Sequence, residues 1–150
     1  MKSRNTRKAT TQQITSSAFS NMRKFLIRIH QLPQILLGKW AIRHYGGIYI
    51  HSIKDVDVYK VKGIDGMSLG NVILIDPDVY EGTWLIKHEY GHTIQSRILG
   101  WFYIPVIFIP SFLWYQLICW LERILKWEQS YSTDIYYKFY TESWANRLVK

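Results

Sequence analysis

At 150 residues the chain suits one domain with a modest core, and 48% hydrophobic with 16% aromatic residues is apolar-rich for that size. Its net charge of +8 belongs to the N-terminal third: residues 1–54 hold ten Lys/Arg and no acid, whereas residues 55–150 hold nine Lys/Arg against eleven Asp/Glu. Cys119 stands alone, which excludes an internal disulfide, and its apolar surroundings suit a packed thiol rather than a nucleophile.

Residues 1–21 combine Lys2, Arg4, Arg7 and Lys8 with Thr, Ser and Gln, and have too little apolar surface to fold alone. They read as a disordered basic arm that could meet anionic lipid or nucleic acid. Their acid-free, Arg- and Ser-containing composition also resembles an organelle transit peptide. No nucleic-acid recognition module accompanies the arm, so lipid is the stronger partner. The apolar stretch from Phe25 to Leu37 is interrupted by Arg28 and His30 and is not a secretory signal.

From Met22 to Tyr45 the pattern is that of a basic amphipathic helix. Phe25, Leu26, Ile29, Leu32, Leu36 and Leu37 alternate with Arg23, Lys24, Arg28, Lys39 and Arg43, and Pro33 should kink or split it. Such a helix lies on an anionic membrane or packs on the domain with its basic face exposed. Gly46-Gly47 ends it, and Ile48, Tyr49 and Ile50 begin strand-type sequence. Val56 to Val61 and Met67 to Ile75 read as two strands joined by the turn Gly63-Ile64-Asp65-Gly66. Ser68, Leu69, Gly70 and Asn71 form an edge where an extended substrate could add as a further strand, Gly70 allowing close backbone approach.

His88-Glu89-Tyr90-Gly91-His92 matches HExxH. On a helix, positions i and i+4 share a face one turn apart, so both imidazoles can address one metal ion, with Glu89 beside it as general base. Asp76-Pro77-Asp78 and Gly82-Thr83 offer helix starts, and Gly100 offers a stop. Within that helix Ile86, Tyr90, Ile94 and Ile98 make an apolar stripe, and His88, His92 and Gln95 fall opposite. A solvated surface helix is the alternative.

Trp101 to Leu121 holds no charge and carries Trp and Tyr near both ends, as a membrane segment would. Pro105 and Pro110 argue against one straight helix. A simple crossing would also carry the remaining chain about 30 Å from His88 and His92. A re-entrant hairpin, an interfacial helix pair or a buried core therefore fits better, and membrane contact is expected through 101–121 and the basic N-terminal helix.

A zinc hydrolase needs a third protein ligand. No histidine follows His92, so a carboxylate is required from among Glu122, Glu128, Asp134 and Glu142. A helix starting at Ser132-Thr133-Asp134 places Ile135, Phe139, Glu142, Asn146 and Val149 on one stripe, which singles out Glu142 as a buried acid in need of a cation. Asn146, one turn on, could bond a ligand histidine.

HEYGH followed by Thr141-Glu142-Ser143-Trp144-Ala145-Asn146 resembles the gluzincin-type metallopeptidases, whose pattern is HExxH plus a glutamate helix reading E-x3-D. Residues 65–150 also resemble small bacterial proteins with HEYGHTIQS, a proline-containing apolar run and TE-x-WAN. The resemblance implies zinc held by His88, His92 and Glu142, Glu89 as general base, and a peptide or protein substrate. It further implies an α+β, minimal zincin-like domain over 22–150: a small sheet before the HExxH helix, an apolar helical hairpin, and a C-terminal helix bearing the glutamate. Asn146 departs from the family's aspartate. Gluzincins also steady the oxyanion with Tyr or His, and Tyr131, Tyr136, Tyr137 and Tyr140 are equivalent candidates by position. The competing function is a non-catalytic membrane interaction or immunity protein that keeps the scaffold.

Overall fold

A computed structural model gives the fold of residues 21–22, 25–76 and 83–150. Two units separate at residue 30: Met1–His30, of which residues 25–30 are helical, and Gln31–Lys150, which contains the sheet and all the candidate site residues. The arm expected over residues 1–21 lies, Asn21 apart, outside the described residues, as do the helix-start signals at 77–82.

The second unit is α+β. Helix α1, Leu32–His44, takes Pro33 in its first turn, where the missing N–H costs nothing. Strands β1 (Ile48–Ile53), β2 (Val56–Lys60), β3 (Gly66–Leu69) and β4 (Val72–Ile75) follow, then α2 (Thr83–Leu99). The sheet order is β1-β2-β4-β3, with β2 parallel to β4 and the other pairs antiparallel.

This departs from the expected hairpin. The tight turns fall at Lys54-Asp55 and at Gly70-Asn71, where Lys54 and Gly70 take positive φ, and residues 61–65 form a crossover that makes β2 and β4 parallel. Met67 to Ile75 is thus two strands rather than one. Val72-Ile73-Leu74-Ile75 is buried along its whole length, as a central strand covered on both faces must be. Val72 and Leu74 pack with Leu69, Val61 and the α1 residue Ala41. Ile73 and Ile75 pack with Val56, Val58 and the α2 residue Ile86. The sheet therefore lies between α1 and α2.

After α2, a 3-10 turn (Gly100–Phe102) and a π-helical turn (Ile104–Phe108) lead into α3, Ile109–Leu125. The apolar run does not fold into a hairpin. Pro105 and Pro110 sit in the first turns of their segments, where proline is tolerated, and Ile104–Leu125 forms one helix long and apolar enough to cross a membrane, with only 11% of its most apolar stretch buried. Lys126 at φ 52 ends it. The C-terminal segment is also broken, because Phe139 is extended (ψ 148) between α4, Gln129–Lys138, and α5, Tyr140–Leu148.

Candidate metal centre

The HExxH helix buries its polar side more completely than its apolar one. His88, Glu89, His92, Thr93, Gln95 and Ser96 are all buried, whereas Ile98 of the expected apolar stripe is 55% exposed. The cause is α5, which lies across that polar face. Gly91 permits the approach: a Cβ there would sit 2.8 Å from the Ala145 carbonyl carbon and closer still to its oxygen. The solvated-helix alternative fails on this burial.

That crossing brings Glu142, fully buried, against both imidazoles. Its Oε2 lies 3.0 Å from His88 Nε2 and 3.1 Å from His92 Nε2. Among the described residues, His88, His92 and Glu142 are the group of acid, imidazole and thiol side chains close enough together to hold a metal ion. Glu122 lines the cleft nearby without joining them, Glu128 is exposed, and Asp134 pairs with Lys138 at 2.5 Å on the surface.

The outer contacts decide what the three atoms are. Gln95 donates from Nε2 to the Thr141 carbonyl at 2.8 Å, so the oxygen of its amide is what faces His92 Nδ1 at 2.7 Å. An amide oxygen only accepts, and His92 must carry its proton on Nδ1. Asn146 Oδ1 does the same for His88 Nδ1 at 2.8 Å. In their neutral forms both rings then turn an Nε2 lone pair toward a carboxylate oxygen. Three acceptors converge with no donor among them, an arrangement that a bound metal ion, or a proton taken up by one of the rings, would satisfy. The two carboxylate–imidazole separations are near the roughly 3.3 Å between ligand atoms on a tetrahedral metal with bonds of about 2.0–2.1 Å, and all three atoms lie within 4.8 Å of one another.

Glu142 is held for that task by its other oxygen, which accepts the hydroxyls of Thr141 (2.9 Å) and Ser111. Burial alone would raise its pKa, but the contacts with the His88 and His92 imidazoles, the charge on His92 and the Ser111 hydroxyl hold it well below the usual carboxylate range. Burial disfavours the charged form of His92. The hydrogen bond and charge of Glu142 outweigh it, with Glu89 behind, and raise the imidazole to about 9. Without a metal, a proton on His92 supplies the missing positive charge.

The chain matches no protein-family model, no curated protein and no solved structure. What the centre can do follows from its own side chains. Glu89 is 5% exposed and borders the same cleft of about 560 Å³ as the two histidines, next to edge strand β3. Gly66 leaves it room, since a Cβ at that position would stand 2.6 Å from Glu89 Oε1. Of the four residues expected to take a substrate strand, only Ser68 lines the cleft. Leu69 and Gly70 are covered by α1, a Cβ on Gly70 meeting Ile35 N at 3.1 Å, and Gly70-Asn71 is the β3–β4 turn. The glycine serves helix packing and the turn. The stretch of β3 left along the cleft is Gly66–Ser68.

Of the four tyrosines, Tyr136 and Tyr137 line the cleft, while Tyr131 and Tyr140 are exposed and Tyr140 donates to the Val106 carbonyl at 2.5 Å. Tyr137 meets the His88 ring edge-on at 5.1 Å, Trp84 stacks on that ring at 5.6 Å, and the two aromatics meet each other edge-on at 4.9 Å. Tyr103, from within the apolar run, also lines the cleft and donates to the Ser68 carbonyl at 3.1 Å. Burial and then the Glu89 charge hold the Tyr103 and Tyr137 hydroxyls far above their ordinary pKa, so both stay protonated donors.

Proposed function

We propose that the chain is a zinc-dependent metallopeptidase that hydrolyses peptide bonds at a membrane. The observation that carries this is the convergence of His88 Nε2, His92 Nε2 and Glu142 Oε2 with both rings' Nδ1 protons committed elsewhere. Two imidazoles and one carboxylate suit zinc among the common biological cations, and three protein ligands leave a position open for chemistry. A bound zinc ion would polarise the scissile carbonyl and make water acidic enough to attack at neutral pH.

The remaining work falls to the chain's own groups. Glu89 accepts the proton of the attacking water on its carboxylate and returns it to the leaving amine, with no covalent intermediate. Tyr137, kept protonated beside His88, is a donor for charge developing on the carbonyl oxygen. The substrate extends along Gly66–Ser68. Membrane contact is supported by the length and exposure of Ile104–Leu125 and by the basic N-terminal third.

Metal analysis of the purified wild type, with peptide hydrolysis by wild type and Glu89→Gln, tests the reading. Wild type should hold one zinc ion per chain and cleave; Glu89→Gln should hold the same zinc and lose cleavage by about a hundredfold or more. A wild type that takes up no zinc defeats it.

A further inference from the structure

Ile104–Leu125 turns its polar side inward. Ile107, Ser111, Tyr115, Ile118 and Glu122 border the cleft, with the Ser111 hydroxyl donating to Glu142 and that of Tyr115 to Asp65 at 3.1 Å. On the opposite side Val106, Ile109, Leu113, Leu117, Trp120 and Ile124 fall three and four apart on one stripe, uncharged and each 39–60% exposed. A helix on a water-facing surface has the reverse arrangement. A core helix of similar composition would be buried, and this one is 11% buried.

We infer that this stripe lies in the interfacial plane of an anionic lipid bilayer, with the helix axis along the membrane surface and the metal cleft on the helix's far side. The inference rests on the membrane part of the proposed function and not on its hydrolase part. Charge selects the occupant. Anionic headgroups attract the basic N-terminal third of the chain, and α1 within it exposes Lys39 and Arg43 together with Leu36 and Trp40, the mixture that suits a lipid interface.

The packing of the later helices selects the orientation. A crossing helix has hydrocarbon around it, but here α4 turns back at Lys126 and packs against α3, carrying the exposed Asp134–Lys138 pair. Transverse insertion would draw that pair, Glu122 and the polar end of the cleft, with Gln129, Ser132 and Thr133, into hydrocarbon where such groups are rarely tolerated. Lying flat, the helix wets only its apolar stripe with lipid. The cleft is then held about one helix diameter, roughly 10 Å, from the headgroup plane, where a polypeptide segment leaving the membrane surface would reach it.

Nitroxide labels on single cysteines at positions 106, 113, 117 and 124 of the full chain, in a Cys119→Ser background, read the orientation by depth measurement. The probes are vesicles of phosphatidylcholine with phosphatidylglycerol, and of phosphatidylcholine alone. All four labels should report one shallow depth on the anionic vesicles, and binding should weaken as salt rises. Leu113→Lys combined with Leu117→Lys should weaken vesicle binding by at least about tenfold, with the circular dichroism spectrum and metal content unchanged. A depth profile that peaks mid-helix, with positions 106 and 124 at opposite surfaces, overturns the in-plane orientation while leaving membrane binding intact. Absence of vesicle binding, or a dimer in solution that shields the stripe, overturns the lipid occupant itself.

Discussion

Adding one methyl group at Gly91 should take the metal centre apart without touching a ligand. The Cβ of Gly91→Ala would stand 2.8 Å from the Ala145 carbonyl carbon and 3.0 Å from its Cα, backbone atoms that cannot rotate away. Ordinary carbon contacts begin about 0.6–1 Å further out, so α5 must withdraw from α2 by roughly that much. Overpacking of this kind costs about 1–3 kcal/mol, which for a chain of this size lowers the melting temperature by roughly 3–10 °C. The effect on metal is larger than the effect on folding. Ligand distances tolerate only about ±0.2 Å, and Glu142, three residues before Ala145, moves with the same helix. Zinc affinity, measured by competition with a chromophoric chelator at a temperature where the variant is folded, should fall more than about a hundredfold. If Gly91→Ala binds zinc within about threefold of wild type, α5 does not depend on Gly91 for its approach and the crossing described above is wrong.

Gly66→Ala should act on the reaction rather than on the metal: its methyl group would displace the Glu89 carboxylate, leaving zinc content intact and lowering hydrolysis by about a hundredfold. Asn146→Ala should weaken zinc binding by about 10–100-fold through loss of the bond to His88 Nδ1, and Asn146→Asp should strengthen it, because a carboxylate is the better acceptor; equal affinities for the three side chains would remove that bond from the account. In the metal-free protein, His92 is raised from 6.5 to about 9, so the stability it contributes is whole below pH 6.5 and is lost as pH climbs through 9. Glu142 is lowered, so its share is present above pH 4.5 and is lost as pH falls further. Chelator-treated protein should therefore melt highest between these limits and progressively lower from pH 6.5 to 9, while zinc affinity improves over the same range as the displaced proton becomes easier to remove. A flat melting temperature across pH 6.5–9 would contradict the coupled pair.

The side-chain cluster was legible where spacing and helix geometry coincide. His88 and His92 at i and i+4 carry their own geometric meaning, and Glu142 emerges once a third ligand is required. The stripe that selected Glu142, however, runs through Phe139, where the helix breaks, so the acid that meets the two imidazoles was chosen on a periodicity the chain does not keep. Gln95 was within reach, three residues after His92 on the same face. Ser111 and Tyr103 were not, because nothing local marks a hydroxyl in an apolar run as the partner of a carboxylate 31 residues away or of a backbone carbonyl 35 residues away. Gly91 passes as a filler position inside HExxH, and its role depends on a helix fifty residues distant. The sheet shows the opposite lesson. Gly70-Asn71 is a turn dipeptide by composition, and reading it as a substrate edge overlooked a local signal in favour of a functional one. The crossover that makes β2 and β4 parallel leaves no such mark, since pairing partners are chosen by burial on both faces of β4.

The ligands also have a mechanical side. His88 and Glu142 lie 54 positions apart, and a chain with one cysteine has no covalent way to tie such distant stretches together. An ion gripping both would act as a removable rivet, closing a loop whose covalent closure would be worth about 4 kcal/mol in chain entropy. Starving the protein of metal would then loosen its architecture along with its reactivity, and supply of the ion would set how much folded chain exists.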